Sequence, residues 1–142
     1  MAYGITVINL ERREIVDTYK FGSNGTEINV TSVGVFQNNI YAGTNSGIYI
    51  ASNNSNLLDF NSWTKLPEKN NSNIKAVWSD DNKLNFIFEQ GSAKDSILRF
   101  DGTTFAIDND LSAFDFTSIS QTTGNKYILN SNDSTYIFEN SR

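Results

Sequence analysis

The sequence predicts an all-β fold of short antiparallel strands, on three observations. Proline occurs once in 142 residues, at Pro67, while Gly, Asn and Ser punctuate the chain at short intervals. Between these breaks lie apolar runs of about five to seven residues rich in Val, Ile, Phe and Tyr, the composition of strands. A similar succession of strands then recurs about every 40 residues, the period of a β-propeller blade.

The first pair of strands is expected at residues 4–9 and 14–21, joined by the charged turn Glu11-Arg12-Arg13-Glu14. Three opening strands then line up: Val30-Thr31-Ser32-Val33-Gly34-Val35, Ile74-Lys75-Ala76-Val77-Trp78-Ser79 and Phe116-Thr117-Ser118-Ile119-Ser120-Gln121. Within the units, strands are expected at 30–36, 39–44, 47–52 and 63–66, at 74–79, 83–89, 96–100 and 104–107, and at 117–122, 125–129 and 134–138. The turns Gln37-Asn38-Asn39, Asn45-Ser46-Gly47, Asp80-Asp81-Asn82 and Thr123-Gly124-Asn125 hold residues that tolerate positive φ, so neighbouring strands should pair as hairpins. Leu57-Leu58-Asp59-Phe60 is too short for an independent helix and reads as a turn packed by its own Leu and Phe side chains.

The organisation expected is one propeller segment over 1–142: a strand pair at 4–21, a blade at 30–66, a blade at 74–107 and a partial blade at 116–138. About three blades cannot close a ring that typically has four to eight. The partner expected is therefore the remainder of a longer propeller chain or a second copy of this one, two copies head to tail making close to six blades.

Composition excludes several classes of function. Eleven Lys and Arg against 16 Asp and Glu give a formal charge of -5, with no basic run to neutralise phosphates, so nucleic acid is not an expected partner. Cys and His are absent, which removes disulfides, thiolate and imidazole metal ligands and the commonest general base. No run approaches the roughly 18 apolar residues of a membrane span, and Met1-Ala2-Tyr3-Gly4 opens into a strand pattern rather than a targeting signal.

Three phrases carry a resemblance: Tyr3-Gly4-Ile5-Thr6-Val7-Ile8-Asn9-Leu10, Ile40-Tyr41-Ala42-Gly43-Thr44-Asn45-Ser46-Gly47-Ile48-Tyr49, and Asn56-Leu57-Leu58-Asp59-Phe60-Asn61-Ser62-Trp63-Thr64. Over residues 3–67 the chain resembles the N-terminal propeller of PorZ-type proteins of the Bacteroidetes type IX secretion system, within the two-component-regulator-type propeller class. The resemblance implies a non-enzymatic component of a secretion and attachment complex in the cell envelope (periplasm, outer membrane or cell surface), one that binds anionic lipopolysaccharide and works beside other attachment proteins. The alternative is the periplasmic propeller of a hybrid two-component histidine kinase that recognises glycans. No motif transfers a catalytic, cofactor-binding, metal-binding or ligand-binding residue to a position here, and no cofactor is expected.

Asp80-Asp81-Asn82 and Asp108-Asn109-Asp110 gather oxygen ligands, but neither completes a calcium loop, and solvated turns are favoured. Asp110 with Asp115, or Glu11 with Glu14, would serve a glycosidase only if held about 5–10 Å apart. Trp63, Trp78 and Tyr41 could stack on sugar, but Trp63 is expected to seal an outer strand and Trp78 to pack between blades, with a Trp78→Ala cost of about 3–5 kcal/mol. Arg12-Arg13 is the one compact basic pair and reads as a solvated turn rather than an anion contact. Asn24, Asn29, Asn53, Asn70 and Asn132 head Asn-x-Ser/Thr triplets that an Asn-rich chain produces by chance. Asp95-Ser96-Ile97 and Asp133-Ser134-Thr135 resemble an envelope O-glycosylation signal.

Overall fold

The structure is a computed structural model that describes residues 4–80, 82–90, 94–109, 111, 114–122 and 126–139. The expectations for Tyr3, Asp81, Asp110 and the turn at 123–125 lie outside the described residues.

Among the described residues, thirteen strands form four antiparallel sheets in chain order. The first is β1 (Ile5–Asn9) and β2 (Glu14–Tyr19). The second runs β3 (Val30–Phe36), β4 (Asn39–Thr44), β5 (Gly47–Ser52) and β6 (Thr64–Lys65). The third runs β7 (Ile74–Ser79), β8 (Leu84–Gln90), β9 (Lys94–Phe100) and β10 (Phe105–Asp108). The fourth runs β11 (Phe116–Gln121), β12 (Lys126–Ser131) and β13 (Thr135–Glu139). Within each sheet the strands pair in sequence order, the blade order of a propeller, and the sheets form an open arc rather than a closed barrel.

Strand alternation buries both faces of the middle sheets, and three apolar clusters fill the gaps between the four sheets. Ala42, Ala51 and Tyr49 of the second sheet face Ile5, Tyr19 and Phe21 in and beside the first. Tyr41 and Ile48 point the other way, onto Ile74, Val77, Leu84, Phe86 and Leu98 of the third. From the third sheet Ile87 and Ile97 face Phe116 and Leu129 of the fourth.

One device recurs in the first strand of each of the last three sheets. Ile74 and Val77 are three apart, so strict alternation would put them on opposite faces. A register shift between Ile74 and Ala76 brings both onto the face toward the second sheet. Equivalent shifts fall between Val30 and Ser32 and between Phe116 and Ser118. Where Ile74 and Val77 land, the second sheet has Gly43: a Cβ there would stand 2.6 Å from Ile74 Cγ2 and 2.9 Å from Val77 Cγ2. Glycine lets the two sheets approach this closely.

The hairpin β3–β4 turns through Gln37 and Asn38, both at positive φ (44° and 62°), which matches the twist of the flanking strands. Three differences from the sequence reading have physical causes. The second strand ends at Tyr19 rather than 21, because Phe21 leaves the ladder to stack on Trp63 at 4.1 Å between ring centroids. The outer strand at 63–66 shrinks to Thr64–Lys65, because Trp63 turns inward and its indole Nε1 donates to the Leu57 carbonyl. The 57–60 turn is only partly self-packed: Leu57 joins the Trp63 cluster and Phe60 lies against Gly25, but Leu58 is exposed, and the Asp59 carboxylate caps a 3-10 turn at Phe60–Ser62.

Candidate functional site

Among the described residues, the densest charged cluster is built on the shifted strand starts. The bulge directs Lys75 forward, where its Nζ lies 3.1 Å from Asp95 Oδ2 on β9 and 3.0 Å from Asp115 Oδ1 just before β11, with Glu89 of β8 at 3.8 Å. Asp95 is 2% exposed and ties the third sheet to the fourth. Its Oδ2 accepts from the Phe116 amide at 2.7 Å, and its own amide donates to the Phe114 carbonyl at 2.8 Å.

Burial raises the Asp95 carboxyl above its ordinary value, against the opposing pull of the Phe116 amide and Lys75. Burial alone would lower the Lys75 ammonium, but its bonds to Asp115 and Asp95 outweigh that and hold it above its usual value. Lys75 is therefore cationic at neutral pH and is not a nucleophilic amine. The cluster is an electrostatic clasp between two sheets.

Beside the clasp a cleft of about 380 Å³ is lined by Lys94, Phe114, Asp115, Asn132, Asp133 and Tyr136, among others. Phe114 and Tyr136, with ring centroids 4.7 Å apart, make an aromatic wall. Asn132 Nδ2 donates to Asp115 Oδ2 at 3.1 Å, which sets an amide and a carboxylate against that wall. A second hollow of about 460 Å³ at the opposite ends of the strands is lined by Val35, Phe36, Gln37, Ser79, Asp80, Asn82 and Asp101. Its carboxylates serve their own turns. Asp80 Oδ1 accepts from the Asn82 and Lys83 amides, and Asp101 Oδ1 from those of Thr103 and Thr104. Those bonds hold the Asp101 carboxyl below its ordinary value.

The candidate residues of the sequence lie apart in the fold. Trp63 and Tyr41 are buried, at 7% and 2% exposure, in the first and second inter-sheet clusters, so neither offers a ring face to a sugar. Trp78 is half-buried against Tyr127, at 6.1 Å, between the third and fourth sheets. Asp108 is paired with Arg99, which also lies over the Phe138 ring at 5.3 Å, so that pair closes a sheet junction. Asp115 is held by Lys75 and Asn132, and Glu14 pairs with exposed Arg12 at 3.5 Å in the first hairpin turn. Asp95-Ser96 cannot be an accessible modification signal, because both residues are 2% exposed. Asp133-Ser134 lies on an exposed turn, as do Asn24, Asn53, Asn70 and Asn132, whereas Asn29 is half-buried. Among the described residues no group of three or more His, Cys, Asp or Glu is placed to hold a metal ion.

Lys75, Phe114 and Tyr136 were missed. Lys75 had a legible signal, as the one charged residue in an otherwise uncharged opening strand, whereas Phe114 and Tyr136 meet across 22 residues that no spacing rule connects.

Residues 1–64 match the family model of the N-terminal β-propeller domain of PorZ, a type IX secretion system protein. A solved structure of PorZ, described as an essential bacterial surface component of the type IX secretion system of Porphyromonas gingivalis, superposes with a TM-score of 0.74 at 19% identity. The chain carries a PorZ-like propeller fold. That likeness covers 99% of this chain, so the PorZ-like architecture continues past the matched residues through the third and fourth sheets. The chain spans 18% of that PorZ protein. No curated protein matches it. No helix among the described residues is long and apolar enough to cross a membrane, a statement that leaves β-barrels aside.

Proposed function

We propose that the chain is a non-enzymatic binding and scaffold module of type IX secretion, acting in the cell envelope where secreted cargo is attached to the surface. The observation that carries this reading is the match of residues 1–64 to the PorZ propeller model on a chain whose whole arc has the PorZ-like fold. The site chemistry agrees with it. The Asp95 and Asp115 carboxylates clasp one sheet to the next and those of Asp80 and Asp101 cap turns, and the cleft walled by Phe114 and Tyr136 beside Asn132 and Asp133 offers stacking and hydrogen bonding to a polar glycan rather than an acid and base pair. In this reading the anionic lipopolysaccharide on which cargo is anchored is the ligand, and other attachment proteins are the neighbours.

The test is an in-frame deletion in the source cell, followed by tracking of secreted cargo. Cargo that accumulates unattached or inside the envelope is the expected result. Normal surface attachment, with a changed transcriptional response to glycans, would replace this reading with the periplasmic sensor of a hybrid histidine kinase.

A further inference from the structure

The cleft beside the clasp has a counterpart elsewhere in the fold that is filled. In the third sheet Phe88 stands opposite Ile74 of the opening strand, and Leu98 stands opposite Phe86. The same register positions of the fourth sheet are held by Ser131, opposite Phe116, and by Tyr136, opposite Leu129. Phe88 and Leu98 are buried toward the second sheet, and Lys69 lies over Phe88 with its ammonium 4.2 Å from the ring centre. Between the third and fourth sheets a serine replaces that phenylalanine, so the space a ring would fill is left as the cleft, bordered by the half-buried rings of Phe114 and Tyr136. At about 380 Å³ it falls at the lower end of the roughly 300–1,000 Å³ of small-molecule sites.

The clasp sets the polarity of this space. Asp115 holds Lys75 through Oδ1 and accepts from Asn132 Nδ2 through Oδ2. An ionised carboxylate can only accept, so the Asn132 amide is fixed with its NH2 toward Asp115 and its Oδ1 is left to accept from a ligand. Asp133 Oδ1 accepts from Ser131 Oγ at 2.8 Å, which leaves Oδ2 for the same use. Lys75 neutralises Asp115, and Asp133 offsets the exposed Lys94, so the described lining has no surplus positive charge with which to hold a phosphate or carboxylate.

We propose that the cleft binds one uncharged pyranose unit, its C–H face on Phe114 and Tyr136 and its hydroxyls donating to Asn132 Oδ1 and Asp133 Oδ2, with Lys75 positioning Asn132 through Asp115. This rests on the glycan reading of the cleft given above and narrows it: an anionic polymer would be gripped by a neutral unit, with its charged groups outside.

The isotope-labelled chain is titrated with two neutral probes, triacetylchitotriose and mannotriose, and with two anionic ones, trigalacturonic acid and glucose 6-phosphate. Saturable shifts at Phe114, Asn132 and Tyr136 with a neutral probe are expected, and at least tenfold weaker binding of the anionic probes. Tyr136→Leu, the residue the third sheet has at that position, and Asn132→Ala should each lower the affinity roughly tenfold, with spectra otherwise unchanged as the check on folding. Lys75→Met should lower the affinity and shift the Asn132 side-chain NH2 resonances, and Lys75→Arg should restore both. No shift at these residues with either neutral probe, anionic probes bound as tightly, or indifference to Tyr136→Leu and Asn132→Ala would overturn the site. Wild-type binding in Lys75→Met would overturn the positioning role. Cargo attachment is read separately in the deletion strain: neutral-sugar binding beside normal attachment would uphold the cleft and remove the secretion role, whereas lost attachment without sugar binding would overturn the cleft alone.

Discussion

Trp78 sits on β7 with its ring against Tyr127 of the next sheet, half-buried rather than sealed. The sequence placed it between blades, and it is there, but the 3–5 kcal/mol suited to a fully buried ring overstates its weight. Trp78→Ala should cost about 2 kcal/mol and leave a folded protein, read from the urea midpoint. A cost above 4 kcal/mol would mean the ring is buried. Trp63 shows what residue-level reading misses. Its type was legible as a core aromatic, but its stacking on Phe21 and its bond to the Leu57 carbonyl join three segments through contacts that no local spacing encodes. Asp95 makes the same point. In the sequence it heads a modification-like triplet, whereas in the fold it is a buried partner of Lys75 and the Phe116 amide.

At the scale of elements, the clasp gives the junction of the third and fourth sheets a pH response. A lysine whose value is raised on folding stabilises the fold below its unfolded value, ordinarily 10.5, and that contribution is lost as pH rises through the raised folded value. Asp95, raised by burial, has the same sense at lower pH: it favours folding toward acid, and that contribution is lost as pH rises through its folded value. Tyr41, also raised by burial, loses stability at alkaline pH too, so the measurement belongs in a Tyr41→Phe background. There, the urea midpoint should fall above about pH 10.5, and Lys75→Met should flatten the fall. Parallel curves would remove Lys75 from the transition. The strands themselves were readable because period-two alternation and turn residues are local signals. The bulges were not, since a one-residue shift leaves the apolar pattern looking merely irregular until the partner strand shows which residues share a face.

Over the whole molecule, the arc leaves apolar surface at both ends. Ile8 and Ile15, cross-strand partners in the first sheet, are 56% and 68% exposed, and Ile137 is exposed in the fourth. Such faces promote association. Ile8→Thr/Ile15→Lys should reduce light scattering on concentration while moving stability by no more than about 0.5 kcal/mol per site. Unchanged scattering would show that the first sheet is not the sticky end. The strands, their pairing order and the blade period are legible along the chain because each rests on residues close together in it: alternation within five to seven residues, turns of two or three, repeats at about 40. Packing in three dimensions sets which face each strand buries after its bulge, joins Lys75, Asp95 and Asp115 in one clasp, and brings Phe114, Asn132 and Tyr136 to one cleft. Those outcomes depend on distances between residues far apart in the chain, which packing of one sheet on the next sets and linear spacing does not.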